Sequence, residues 1–309
     1  MDLIGTPVAL RRWAVASLVA NMGIVVTGGL VRLTSSGLGC STWPQCEPGS
    51  YVPTPEATGH AFIEFGNRLL TFVLVVIAVG TFLAARRARD TEGRPRRRTR
   101  ALALVAALGI PAQAVIGGFS VLAGLNPWVV GLHLVLSMGL IVVCVLLVHD
   151  TRGWGPAPVT PRTRLLARAA FAVGLLVMLL GMVVTGAGPH AGDSGAARNG
   201  LELMAVARVH SLSVWALVVL TIALAVMTRE QLRIRRAVWL LLGTELAQGG
   251  IGYAQYFLGL PAALVILHML GTTVFAAALA HLWWLTREPG ALDQNSSGSS
   301  AAAMNTIAR

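Results

Sequence analysis

Eight apolar stretches, each close to the length of one bilayer crossing, constrain this chain more than any other feature. A hydrocarbon core about 30 Å thick takes about 20 helical residues to cross. The stretches fall at 13–31, 63–85, 101–122, 128–149, 165–186, 204–227, 237–258 and 262–285, separated by short polar or Gly/Pro-rich segments. They predict an all-α membrane protein with eight transmembrane helices.

Composition points the same way, because only 12% of residues are charged, where a soluble domain carries about 25%. The net charge of +11 raises the question of a nucleic-acid partner, but the arginines do not form one compact patch. They lie at Arg11-Arg12, in the run from Arg86 to Arg100, at Arg152, Arg162 and Arg164, and at Arg229, Arg233, Arg235 and Arg236. With eight crossings all four groups share one side, so the positive-inside rule predicts a multi-pass protein of the cell (cytoplasmic) membrane with both termini cytoplasmic, in contact with lipid and not nucleic acid. The first stretch runs into Thr27-Gly28-Gly29 with no cleavage-site pattern, which predicts that it stays in the membrane.

The stretches repeat. Gln113, Gly117 and His133 in segments 3 and 4 recur as Gln248, Gly252 and His268 in segments 7 and 8, each 135 positions on. Val26-Thr27-Gly28 at the end of segment 1 matches Val184-Thr185-Gly186 at the end of segment 5, and alignment of Val75-Val76 with Val218-Val219 sets Asn67 opposite His210. The chain therefore reads as two pseudo-symmetric four-helix bundles of parallel topology. The expected organisation is a cytoplasmic N-terminus at 1–12, bundles at 13–149 and 165–285 joined by a cytoplasmic linker at 150–164, and a disordered Ser/Ala/Gly-rich tail at 286–309.

Of seven histidines, His133, His210 and His268 fall inside apolar segments, near the outer end of each. Polar side chains there are costly and face the bundle interior. His210 and His268 enter at similar depth on alternate helices of one half, which suits two axial ligands of a haem iron with the porphyrin among apolar side chains. The other half offers His133 but Asn67 in the second place, an arrangement that leaves one face of an iron open for chemistry. His149 and His281 at cytoplasmic helix ends need no special role; His190 lies in an outer loop, and His60, two turns before Asn67, has a minor chance of touching substrate. Glu64, on the face of Asn67, reads either as an interfacial carboxylate paired with Arg68 or as a group that handles protons beside the open site. The second reading is favoured because Glu64 and His133 share a half.

Cys40 and Cys46 lie in the first outer loop around Trp43-Pro44. The compartment and spacing permit a disulfide, which two thiolates without further ligands favour over a metal site; whether it is structural or redox-active stays open. Cys144, deep in segment 4, reads as packing.

The motif Gly28-Gly29-Leu30-Val31-Arg32-Leu33-Thr34-Ser35-Ser36-Gly37-Leu38-Gly39-Cys40, with Trp43-Pro44, Cys46, Gln113, Gly117-Gly118, Leu132-His133, His210, Gln248 and Leu267-His268, resembles the haem A synthase family. The resemblance implies oxidation of haem O to haem A for cytochrome oxidase assembly, a haem b cofactor on His210 and His268, and haem O in the N-terminal half with His133 near its iron and Asn67 and Arg68 close by. It further implies a catalytic Glu64, the Cys40–Cys46 pair, and haem O synthase as a pathway partner; a homo-oligomer is compatible with it. The family often has Glu-x-x-His-Arg where this chain has Glu64-Phe65-Gly66-Asn67-Arg68. Two other classes compete. An electron-transfer cytochrome b would want two complete histidine pairs, and a transporter would place more ionisable groups deep in its helices.

Overall fold

Helix caps and turn residues set where each crossing begins. In a computed structural model that describes residues 4–55, 57–90 and 93–289, the chain forms α1 Pro7–Leu33, α2 Gly59–Arg87, α3 Arg97–Leu122, α4 Pro127–Thr151, α5 Pro161–Ala187, α6 Leu203–Met227, α7 Leu232–Phe257 and α8 Ala262–Thr286. Thr6, Asn126 and Thr160 each accept a backbone N–H of the first turn, ahead of Pro7, Pro127 and Pro161. Proline is suited to that place because its missing N–H would have no partner there. Glu202 caps α6 through Met204 N–H at 2.8 Å and Ala205 N–H at 2.6 Å.

Seven of the eight helices are long and apolar enough to cross a membrane. The exception is α7, which carries Arg233, Arg235 and Arg236 in its first turns and Glu245, Gln248 and Gln255 beyond. Its Glu245 and Gln255 are buried together with Ile234, Val238, Leu241 and Leu242, while Trp239, Leu240 and Leu246 are exposed, so the helix is apolar on both its buried and its outward faces and carries two polar side chains into the protein. The predicted start at 13 falls inside α1, which begins at Pro7, and the predicted tail beyond 289 lies outside the described residues.

Helices α1 to α4 pack as a ring in which each touches only its sequence neighbours within the ring, with α4 closing on α1; α5 to α8 do the same. Helices α2 and α4 are therefore diagonal across one ring, and α6 and α8 across the other. The rings meet through α4 with α8, α1 with α8, and α4 with α5, around a cluster containing Val25, Met138, Ile141 and Ala276. Glycine permits this approach: a Cβ at Gly29 would run into Met269, and one at Gly131 into Met182.

The turn before α4 recurs before α8. Gly124-Leu125 and Gly259-Leu260 all have positive φ, at 58°, 57°, 73° and 60°, and Leu125 N–H donates to Ser120 O as Leu260 N–H donates to Gln255 O, both at 2.8 Å. Glycine meets the left-handed requirement without strain; each leucine adopts it against its usual preference.

Candidate functional site

His210 and His268 stand on the diagonal helices α6 and α8. Both rings are half-buried, and the Nδ1 of each is buried without a hydrogen-bond partner. Buried polar atoms are ordinarily satisfied, so an unclaimed Nδ1 on each of the two rings stands out. Their supports are small or amide side chains. A Cβ on Gly181 of α5 would stand 3.2 Å from His210 Cε1, one on Gly252 of α7 would stand 3.7 Å from His268 Cε1, and Gln248 Nε2 donates to the His268 carbonyl at 3.1 Å.

The first ring repeats half of this design. His133 on α4 also has a buried Nδ1 without a partner, and a Cβ on Gly117 of α3 would stand 3.2 Å from its Cε1. Gln113 Nε2 donates to His133 O at 3.2 Å, and Ser137 Oγ donates to the same carbonyl at 2.9 Å, as Thr272 Oγ1 does to His268 O at 2.9 Å. On the diagonal helix α2, Asn67 Oδ1 instead accepts Thr27 Oγ1 at 2.8 Å.

Above this ring the loop after α1 is held as a clamp. Cys40 and Cys46 form a disulfide. Glu64, 5% exposed, accepts the Cys40 N–H at 2.8 Å and pairs with Arg68 at 2.6 Å. Arg68 also donates to the carbonyls of Gln45 at 3.1 Å, Cys40 at 3.3 Å and Thr42 at 3.0 Å. Both carboxylate oxygens of Glu64 are thus engaged, and the Arg68 pairing expected on one sequence reading is present. His60 belongs to the clamp too, with its Nδ1 2.9 Å from Ser36 Oγ.

Trp43 completes the clamp by lying against α3 at Gly118, where a Cβ would overlap the indole. Gly118→Ala should therefore displace Trp43 and cost about 1–3 kcal/mol, read as a lower melting temperature and faster proteolysis between residues 40 and 55. An unchanged melt and digestion pattern would show that the loop does not depend on this contact.

A family model described as cytochrome oxidase assembly protein, COX15-CtaA, matches residues 11–279. The chain belongs to the COX15-CtaA family. It is similar to heme A synthases: 31% identical over 140 residues to that of Listeria welshimeri serovar 6b, covering 44% of this chain and 42% of the relative. It is 35% identical over 134 residues to that of Lysinibacillus sphaericus, covering 42% and 40%, and 28% identical over 131 residues to that of Geobacillus thermodenitrificans, covering 42% and 39%. These matches span about two fifths of the relatives' length.

Other contacts in this COX15-CtaA chain escape a sequence reading. His149 and His281, 132 positions apart, meet at the junction of α4 and α8 with ring nitrogens 2.9 Å apart. His190 Nε2 donates to Leu260 O at 3.0 Å, while Arg32 crosses between the rings to donate to the carbonyls of His190 and Thr185. Glu245 is 3% exposed; its Oε1 accepts Thr221 Oγ1 at 2.8 Å and its Oε2 has no partner. A lone Glu amid the apolar residues of α7 is the only signal the sequence offers for it. Cys144 is buried and free, as packing requires.

Proposed function

We propose that this protein is a haem A synthase, which oxidises a ring methyl of haem O to a formyl group through hydroxylated intermediates that lose water. The observation that carries the reading is the asymmetry of the two helix rings. One presents two histidines from diagonal helices; the other presents one histidine across from an asparagine whose oxygen is already occupied by Thr27. Two imidazoles, each with a buried Nδ1 that no hydrogen bond claims and each backed by a glycine and apolar helices, suit a resident bis-histidine haem b, held by His210 and His268. When bound, that haem would supply one-electron redox chemistry.

The N-terminal ring is the substrate site in this reading. His133 offers its nitrogen to the haem O iron, Gln113 and Ser137 fix the backbone that carries it, and Asn67 leaves the opposite face open. Glu64 and His133 are the proposed catalytic pair, with Glu64 able to hold a proton or balance positive charge at the reacting carbon, and Arg68 sets the position of Glu64. Gene duplication accounts for the paired turns, the paired glutamines and a helix contact pattern that maps onto itself when α1–α4 are exchanged with α5–α8. We place the arginine-rich end in the cytoplasm and haem O synthase as the supplier of substrate.

The test is expression in a membrane that also makes haem O, followed by haem extraction and chromatography. Haem b together with newly formed haem A is expected. Stable haem b alone, with haem O present, would overturn the synthase reading in favour of an electron-transfer cytochrome.

A further inference from the structure

At one level the two helix rings are built from corresponding residues of different chemistry. In the first ring Leu74 and Ala78 of α2, Ile110 of α3 and Leu140 of α4 form a single apolar cluster. The alignments that set Asn67 opposite His210, Gln113 opposite Gln248 and His133 opposite His268 carry these four to Leu217, Thr221, Glu245 and Phe275. Leu217 and Phe275 stay apolar and lie in the core of the second ring. The pair Ala78 and Ile110 is replaced by Thr221 and Glu245, both buried, with the Thr221 hydroxyl donating to Glu245 Oε1 at 2.8 Å and Oε2 without a partner among the described residues. An apolar pair fills this place in the first ring, so packing does not call for a carboxylate, which is costly inside a membrane helix.

The face of α7 ties Glu245 to the histidine site. Ile234, Val238, Leu241, Glu245, Gln248 and Gly252 follow one another at spacings of four and three, which is one helix face. The first three lie in the apolar core, while Gln248 bonds the carbonyl of His268 and Gly252 lies against its imidazole. Glu245 is the step between core and site, about 10 Å along the helix from Gly252. Helix α7 packs against α6 and α8 alone. Among the described residues, no hydrogen bond or ion pair joins Glu245 to Arg208 or His210 of α6 or to His268 or His281 of α8. The same is true of Arg233, Arg235, Arg236, Tyr253 and Tyr256 of α7 itself. An electron added to a buried haem raises the negative charge in a medium that solvates it poorly, and a proton accepted nearby offsets it. On the reading that His210 and His268 hold haem b, we propose that Glu245 takes up one proton when that haem is reduced. The electron comes from an external one-electron reductant and goes to the iron; the proton comes from water and converts the carboxylate to a carboxylic acid, so the second ring gains no net charge.

Mediated redox titration of the purified full chain across a range of pH, with dithionite as reductant, tests this. The haem b midpoint potential should fall as pH rises, by up to about 59 mV for each tenfold drop in proton concentration, the value for one proton per electron. Glu245→Gln should flatten that dependence and, at the alkaline end, leave the haem about tenfold easier to reduce, as loss of a unit charge at this separation does at a protein's effective dielectric. The double change Thr221→Ala with Glu245→Ile installs the pair that the first ring already packs, and should give the same flat profile in a ring that still assembles. The unaltered protein supplies a second readout: its reduced-minus-oxidised infrared difference spectrum should gain a carboxylic-acid C=O band that Glu245→Gln removes. A potential independent of pH in the unaltered protein, or a pH dependence and carboxyl band that survive Glu245→Gln, would overturn the proposal and leave the haem b reading standing. Purified protein devoid of haem b would overturn that reading and this proposal with it.

Discussion

Glu64→Gln is expected to abolish haem A formation while the optical spectrum of haem b persists. The substitution is nearly isosteric, and its amide oxygen can still accept the Cys40 N–H now bound at 2.8 Å. What it removes is the negative charge and the capacity to take a proton. Loss of a general acid or base costs about 10²–10⁴ in rate, enough to leave no haem A in an extract. The charge also balances Arg68, and breaking a buried pair costs about 3–5 kcal/mol when the remaining charge is stranded. Arg68 is not stranded, because the carbonyls of Gln45, Cys40 and Thr42 still accept its N–H groups, so the folded protein should survive to be assayed. Normal haem A in the variant would leave Glu64 as an anchor for the loop and nothing more.

His210→Ala and His268→Ala, made singly, should each eliminate the low-spin haem b spectrum. The two rings come from diagonal helices, and within its ring neither α6 nor α8 packs against a helix carrying another histidine at that depth. Each ring packs against a glycine, Gly181 or Gly252, so truncation to alanine creates a void and no clash, and the helices should still assemble. His133→Ala serves as the contrast. It should spare haem b and eliminate haem A, since His133 belongs to the other ring. A bis-histidine spectrum that survives loss of His210 or His268 would reassign the cofactor to other residues.

The helices were readable because a bilayer crossing leaves a long run of apolar residues whatever the tertiary contacts. Their ends were less so. Helices α2 and α3 begin at Gly59 and Arg97, four residues before their apolar runs; α3 does so because a helix continues into the headgroup region while its arginines reach water. The histidines were visible for a related reason: imidazole inside an apolar run is costly and stands out. The clamp was not. Cys40 and Glu64 are 24 positions apart and meet only because the loop doubles back over α2, which no local spacing encodes. The same holds for His149 and His281, and for Glu245, whose one bonded partner, Thr221, lies on the neighbouring helix α6.

The repeated turn bears on energetics. Leu125 and Leu260 adopt the same left-handed backbone, and His133 and His268 follow them by the same number of residues. The helices they open are adjacent and in step, since Ile141 of α4 and Ala276 of α8, one repeat apart, share a single cluster. The two imidazoles consequently lie at one depth. A transmembrane voltage does about 2.3 kcal/mol of work per 100 mV on a unit charge carried fully across the bilayer, but it does essentially none on a charge moved sideways at constant depth. On the proposed reading, electron exchange between haems held at these two heights would be insulated from the energised state of the membrane, its direction left to the chemistry of the two sites alone.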